Sequence, residues 1–183
     1  MRSNVAGLIW TEQAINWNES SGAALGTAAI FTTYLATAQT DMTVNARSGY
    51  FDSGGLQVYV VTGADPTTPV GKVATGSTQQ TGTTVHNAFT TTKAGTLTIG
   101  VVNDWNARST PAVDSSATSS PWFMQLKDSG SAFYKNALAA APNQAISFEL
   151  TTGANPAHLR WAAVEILPGP DVLPFSGWGI PIF

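Results

Sequence analysis

The sequence contains no cysteine, which excludes disulfide bonds, thiolate metal sites and a cysteine nucleophile. Charge is also scarce, because only 10% of the 183 residues are charged and the net charge is -3, against about a quarter charged in typical soluble proteins. The few Lys and Arg residues form no cluster, so we expect neither nucleic acid nor an anionic membrane surface as a partner. No apolar run approaches the ~18 residues that a membrane-spanning helix needs, and no secretory signal follows Met1 and Arg2.

Familiar catalytic signatures are missing as well. The sequence has no phosphate-binding loop, no dinucleotide-binding glycine pattern and no G-x-S-x-G elbow. Its two histidines, His86 and His158, each lie inside a predicted strand and not at metal-ligand spacing. We therefore expect structural roles for both, no metal ion, no cofactor and no enzymatic activity.

Glu149 and Glu165 are candidates for a catalytic acid pair, because glycoside hydrolysis requires two carboxyl groups. Glu149 lies on the polar face of a predicted strand, and Glu165 alternates with Trp161 on another. The favoured interpretation for Glu165 is an exposed glutamate on a sheet. If it is buried instead, Arg160 or backbone N–H groups must hold its charge.

What the sequence does contain is a series of short segments with apolar residues at every second position, separated by turn signals about every ten residues. The clearest runs are Leu56–Val60, Leu97–Val101, Ile146–Leu150 and Leu159–Leu167. Gly153 and Asn155–Pro156 form a turn signature between the last two, which predicts that these strands form a hairpin-like pair. The fold class predicted is all-β, a two-sheet antiparallel β-sandwich of the jelly-roll type with extended N- and C-terminal arms.

Weaker patterns predict the remaining elements. Strands are expected within residues 41–51, at Ile30–Thr37, at Phe123–Leu126 and at Ala132–Tyr134, with one helical turn at Lys135–Ala141. The segment Thr62–Gly71 is expected to be a turn, and Lys93–Gly95 a second turn between two strands.

Both ends of the chain are apolar and are predicted to be arms. The predicted divisions are an N-terminal arm at 1–20, the sandwich at 21–168 and a C-terminal docking arm at 169–183. Asp171 is the only charged residue from Leu167 to Phe183, and the prolines of this stretch cannot donate to a sheet interior. We expect the arms to dock on a neighbouring chain, and the alternative is that the C-terminal arm folds back on its own sandwich. The candidate interface residues are Trp10, Trp17, Phe175, Trp178, Ile180 and Phe183.

The loop "NDWNAR" provides a candidate sugar-binding platform. Asn103, Asp104, Trp105 and Asn106 combine an indole with amides and a carboxylate at the end of a strand. An aromatic face suits the C–H groups of a sugar, and the polar groups suit its hydroxyls. The alternative is an ordinary turn in which Trp105 caps the core.

Three segments, "GLQVYVVTGAD", "GTLTIGVVNDWNA" and "RWAAVEILPG", occur in an order that resembles β-sandwich modules of tailed bacteriophages, notably minor tail proteins of phages that infect actinobacteria. The resemblance covers roughly residues 30–169. It implies a non-enzymatic virion structural protein, such as a minor tail or capsid decoration component, made in the host cytoplasm. The implied partners are other virion subunits, further copies of the chain and, in an adhesion role, a host-surface glycan. A carbohydrate-binding or receptor-binding module is the alternative function.

Overall fold

The computed structural model describes residues 1–17, 26–46, 55–104, 109–112, 124–126, 131–135, 139 and 141–170. These residues form ten β-strands and no helix, which confirms the all-β prediction. The strands are β1 (Arg2–Ser3), β2 (Thr11–Asn16), β3 (Ala28–Thr32), β4 (Val44–Asn45), β5 (Val70–Thr90), β6 (Leu97–Asp104), β7 (Ser109–Ala112), β8 (Met124–Leu126), β9 (Ser131–Lys135) and β10 (Ala145–Ile166).

The largest sheet has six strands, and β10 lies at its centre. The strand order is β5-β10-β6-β9-β8, with β7 paired to the N-terminal half of β10, and every pairing is antiparallel. Two smaller sheets pair β2 with β3 and β1 with β4. The long strand β10 is thus the element to which most of the described chain is attached.

The predicted hairpin between Ile146–Leu150 and Leu159–Leu167 is wrong. Both segments belong to the single 22-residue strand β10, and both pair with β5 rather than with each other. The turn signature instead produces an irregularity in the ladder, where residues 153–156 lie opposite the single residue Thr81. Extra residues on one strand bend the ladder without ending it, because pairing resumes on both sides.

The two-stranded ribbon of β5 and β10 returns on itself. A straight strand would separate Lys72 from Thr90 by about 60 Å at ~3.3 Å per residue. In the structure Lys72 Nζ lies 3.3 Å from Thr90 Oγ1. Gly82, which pairs with Thr152 next to the irregularity, has a φ of 75°, a conformation that glycine adopts without the steric cost of a side chain. The ribbon therefore bends near Gly82 and brings the two ends of β5 together.

Two apolar clusters lie on opposite faces of the C-terminal half of β10, as its alternation predicts. Ala162, Val164 and Ile166 face one cluster, together with Leu97 and Val101 of β6 and with Ala14 and Ala28 of the β2–β3 hairpin. Leu159, Trp161 and Ala163 face the other, together with Val102 and the partly buried Ala74, Ala88 and Phe89. Both faces of this part of the sheet are therefore covered, one of them by the hairpin.

The segment predicted as the clearest strand is not a strand. Residues 55–62 have no ladder partner, and Leu56 and Val60 are 40% and 52% exposed. Val61, from the opposite alternation, packs on the core instead. The prediction was wrong because apolar residues occupy both alternating sets here, so the pattern cannot identify an inward face.

The turn predicted at Thr62–Gly71 is confirmed in its first part, but Val70 and Gly71 belong to β5. Asp65 Oδ1 accepts hydrogen bonds from Thr67 N at 2.9 Å and Thr68 N at 3.0 Å. These two hydrogen bonds, with the one from Thr68 as the larger cause, lower the pKa of the Asp65 carboxyl below 3.8. The residues that follow β10 are hydrogen-bonded to the same turn region. Gly169 N donates to Gly63 O at 2.9 Å, and Ala64 forms an isolated β-bridge with Pro168.

Within the predicted N-terminal arm, Thr11–Asn16 is paired with β3 and buries Ala14 against the sheet. The division into arms and sandwich stays a prediction. The strand predicted at Ile30–Thr37 is confirmed only over Ile30–Thr32, as part of β3, while those predicted at Phe123–Leu126 and Ala132–Tyr134 correspond to β8 and β9. The turn at Lys93–Gly95 separates β5 from β6. Only Val44–Asn45 is a strand among the described residues of 41–51. The helical turn predicted at Lys135–Ala141 lies mostly outside the described residues, as do residues 171–183 of the C-terminal arm.

Candidate functional site

A polar cleft opens on the sheet beside the end of the β2–β3 hairpin. Its volume is about 270 Å³. The lining residues are Ser77, Thr78, Gln79, His158, Leu159 and Arg160. In the ladder His158 lies opposite Gln79, and Arg160 lies opposite Ser77. Because cross-strand partners share a face of a sheet, these four side chains form a polar group on the face that bears the hairpin.

Arg160 is the charged residue of this cleft, and it is only 8% exposed. Nη1 donates to Asn16 Oδ1 at 2.9 Å, and the Asn16 amide in turn donates to the carbonyl of Gly76. Nε is buried and has no hydrogen-bond acceptor among the described residues. No carboxylate in the described part of the chain pairs with the guanidinium, and within that part its one hydrogen-bond acceptor is a neutral amide oxygen.

The sequence contains a signal for this arrangement. Arg160 shares its alternation with Ala162, Val164 and Ile166, a set that is otherwise entirely apolar and buried. A charged residue in register with a buried face is itself expected to be buried. The signal does not identify Asn16 as the partner, because 144 residues separate the two in the sequence.

Asn103, one of the predicted sugar-binding residues, lies beside this cleft. It is the cross-strand partner of Arg160 on β6. Gly26 packs directly on its side chain, since a Cβ at Gly26 would lie 1.8 Å from Asn103 Oδ1. The start of β3 therefore covers Asn103, which is partly buried.

Asp104, a second predicted platform residue, is not brought together with Asn103. Asp104 is completely buried, on the opposite face of β6, and makes interactions of its own. A carboxylate in that position does not face a ligand at the surface. Trp105 and Asn106 lie outside the described residues, so a sugar platform at this loop stays a prediction.

Two of the exposed large apolar side chains of the described residues flank the same end of the β2–β3 hairpin. Ile9 is 80% exposed and Tyr34 is 64% exposed. Thr33 Oγ1 donates to Ile9 O at 2.7 Å, which joins the chain before β2 to the chain after β3. We call Ile9 and Tyr34 the hairpin patch.

Of the predicted interface residues, Trp17 is 57% exposed and lies at the opposite end of β2 from the hairpin patch. Trp10 is partly buried, and its indole N–H has no acceptor within the described chain. Phe175, Trp178, Ile180 and Phe183 lie outside the described residues. A role for these six residues in assembly stays a prediction.

The buried charge at Glu165 serves the scaffold. Its carboxylate accepts hydrogen bonds from Lys72 N at 3.0 Å, Thr92 N at 2.6 Å and Thr92 Oγ1 at 3.0 Å. The prediction of an exposed glutamate is wrong, and the buried alternative with backbone N–H partners is confirmed. Glu165 therefore joins the start of β5 to the loop that follows its end.

Among the described residues no three His, Asp or Glu side chains are grouped so as to hold a metal ion. Within that same part of the chain no helix has the length and apolar character needed to cross a bilayer. Comparison of the chain with protein-family models, with curated proteins and with solved structures gave no match.

Proposed function

We propose that the protein is a non-enzymatic structural component of a tailed-phage virion, a minor tail or capsid decoration subunit that assembles through exposed apolar residues. The observation that carries the proposal is the hairpin patch. Ile9 and Tyr34 are large and mostly exposed, and Thr33, the neighbour of Tyr34 in sequence, is hydrogen-bonded to Ile9, in a chain with only 10% charged residues. Contiguous exposed apolar surface is typical of sites where proteins associate.

The scaffold suits such a role if the bent ribbon forms the two layers of a β-sandwich. Supporting this, Phe89 and Ala88 from the second half of β5 pack against the cluster of Trp161 and Ala163. The contact between Lys72 and Thr90 and the clamp at Glu165 close the same bend. A doubly clamped ribbon gives a rigid body, which a repeating structural subunit requires.

The test is the oligomeric state of the purified chain, measured by sedimentation velocity. A chain with Ile9→Ser and Tyr34→Ser should lose self-association at concentrations where the natural sequence associates. Val60→Ser is the matched control, since Val60 is 52% exposed but lies outside the hairpin. If the double variant associates as strongly as the natural sequence, the hairpin patch does not carry assembly.

The alternative function, a carbohydrate-binding or receptor-binding module, is favoured by a different observation. The cleft at Arg160 combines a cationic group with hydroxyl and amide side chains, which is the composition of a polar ligand site. The two functions are compatible within one virion protein.

A further inference from the structure

We propose that the cleft beside Arg160 binds the carboxylate of an acidic sugar, such as a uronic or sialic acid residue. This inference deepens the alternative function, a carbohydrate-binding module, and does not rest on assembly through the hairpin patch. It depends on the charge of Arg160, which no carboxylate among the described residues matches, on the chemistry of the other lining residues and on the position of Trp17.

The charge of Arg160 calls for an anion. A guanidinium has five N–H donors, and the only bond that Arg160 makes with the described residues runs from Nη1 to Asn16. Burial of a charge without a counter-ion is costly, and a buried donor without an acceptor adds to that cost. An anion entering the cleft would compensate a charge that no carboxylate among the described residues matches.

A carboxylate fits this site better than a phosphate. Arg160 is the only Lys or Arg among the described residues that line the cleft, so its single charge matches a single negative charge. The planar guanidinium and the planar carboxylate also share the geometry for paired hydrogen bonds. A phosphate carries more charge than one guanidinium neutralises.

The remaining lining residues favour a sugar as the carrier of that carboxylate. Ser77 offers a hydroxyl and Gln79 offers an amide on the same face as Arg160, and both groups hydrogen-bond to sugar hydroxyls. Trp17 directly follows Asn16, the residue that holds Arg160, and its indole is 57% exposed. An exposed indole provides an apolar face for the C–H groups of a sugar ring.

The cleft is small. Its volume of about 270 Å³ lies just below the ~300–1,000 Å³ typical of small-molecule sites. We therefore expect it to take one sugar residue, with any attached chain leading out past the hairpin end. An acidic side chain of a protein partner is the competing source of a carboxylate and is separated from a sugar by the experiment below.

The experiment is a set of titrations of the full chain by calorimetry and by NMR. The probes are methyl β-glucuronide, the methyl glycoside of N-acetylneuraminic acid, neutral methyl β-glucoside, inorganic phosphate and N-acetyl-glutamate amide. At least one acidic sugar should bind, and methyl β-glucoside should bind roughly ten- to a hundredfold more weakly than methyl β-glucuronide, as expected for loss of a charged hydrogen bond. Equal affinity for the neutral and acidic sugars, or tightest binding of phosphate or of the glutamate derivative, would overturn the proposal.

The variants locate the binding. Arg160→Met removes the buried charge while keeping much of the volume, a change that tends to preserve stability, and it should lower affinity for the acidic sugar by roughly ten- to a hundredfold. Trp17→Ala, at a mostly exposed position, should weaken both acidic and neutral sugars and serves as a second variant if Arg160→Met does not fold. Arg2→Gln is the control, since Arg2 is exposed and outside the cleft. Unchanged affinity in Arg160→Met, or in Trp17→Ala if only that variant folds, would overturn the site.

Discussion

The clamp at Glu165 gives the sharpest prediction about the scaffold. Its two carboxylate oxygens accept separate backbone N–H groups, Thr92 N on Oε1 and Lys72 N on Oε2. In Glu165→Gln one oxygen becomes an NH₂ group, so one buried N–H faces another donor. A hydrogen bond to a charged group contributes ~1.5–3 kcal/mol and a buried unsatisfied donor costs ~1–3 kcal/mol, and because these overlap we expect a loss of about 2–4 kcal/mol in the free energy of unfolding.

Gly71→Ala tests the same clamp from the other side. A Cβ at Gly71 would lie 2.5 Å from Glu165 Oε2 and 2.9 Å from Leu167 Cδ2. We expect this overpacking to cost ~1–3 kcal/mol. In a Glu165→Ala background the cost should be smaller, because the closest clashing atom is gone and the two effects are coupled.

The assay is urea unfolding followed by tryptophan fluorescence. Glu12→Gln is the matched control, since Glu12 is exposed on β2, and it should change stability by less than about 0.5 kcal/mol. If Glu165→Gln is as stable as this control, the carboxylate does not accept hydrogen bonds from the two backbone N–H groups, and Glu165 does not close the ribbon.

Two further predictions concern titrating groups. Burial lowers the pKa of His86 below 6.5, so near that pH the unfolded chain binds more protons than the folded chain. The contribution of His86 to stability should therefore be constant above about pH 6.5 and fall as the pH decreases. His86→Gln should remove this fall and His158→Gln should retain it, and an equal fall in both variants would contradict the assignment. Burial raises the pKa of Tyr59 to about 12, and its hydroxyl has no hydrogen-bond partner within the described chain. Tyr59→Phe should therefore be neutral or stabilising. A loss above about 1 kcal/mol in the free energy of unfolding in urea would show that the hydroxyl has a partner.

The sequence predicts faces better than it predicts connections. The alternation in Leu159–Leu167 separates the residues of β10 into two sets, and each set packs in its own apolar cluster. Leu159, Trp161 and Ala163 lie in one cluster. Ala162, Val164 and Ile166 lie in the other. The same rule fails at Leu56–Val60, where exposure is decided by which residues the loop can bring to the core. It also cannot show that Gly153–Pro156 bends a ladder, since a turn signature is the same in a hairpin and in a bulge.

The candidate cleft could be predicted only in part. Arg160 is marked by its place in an apolar register, but the cleft depends on contacts across the whole chain. Asn16 holds Arg160 from 144 residues away, and Gly26 covers Asn103. Local patterns carry no information about such pairs. The residues chosen from local composition, Asn103 and Asp104, lie on opposite faces of β6 because neighbours in a strand point in opposite directions.

The most direct test of the proposed function is mass spectrometry of particles purified on a density gradient from the culture that naturally produces the chain. The proposal predicts that peptides of the chain sediment with the particles in a fixed ratio to the major structural proteins. A chain ended after Pro170 keeps the contacts of Pro168 and Gly169 with residues 63 and 64 but lacks the predicted docking arm, and it should be depleted from particles while remaining folded. Recovery of the full chain only among free proteins at the top of the gradient would contradict the virion assignment.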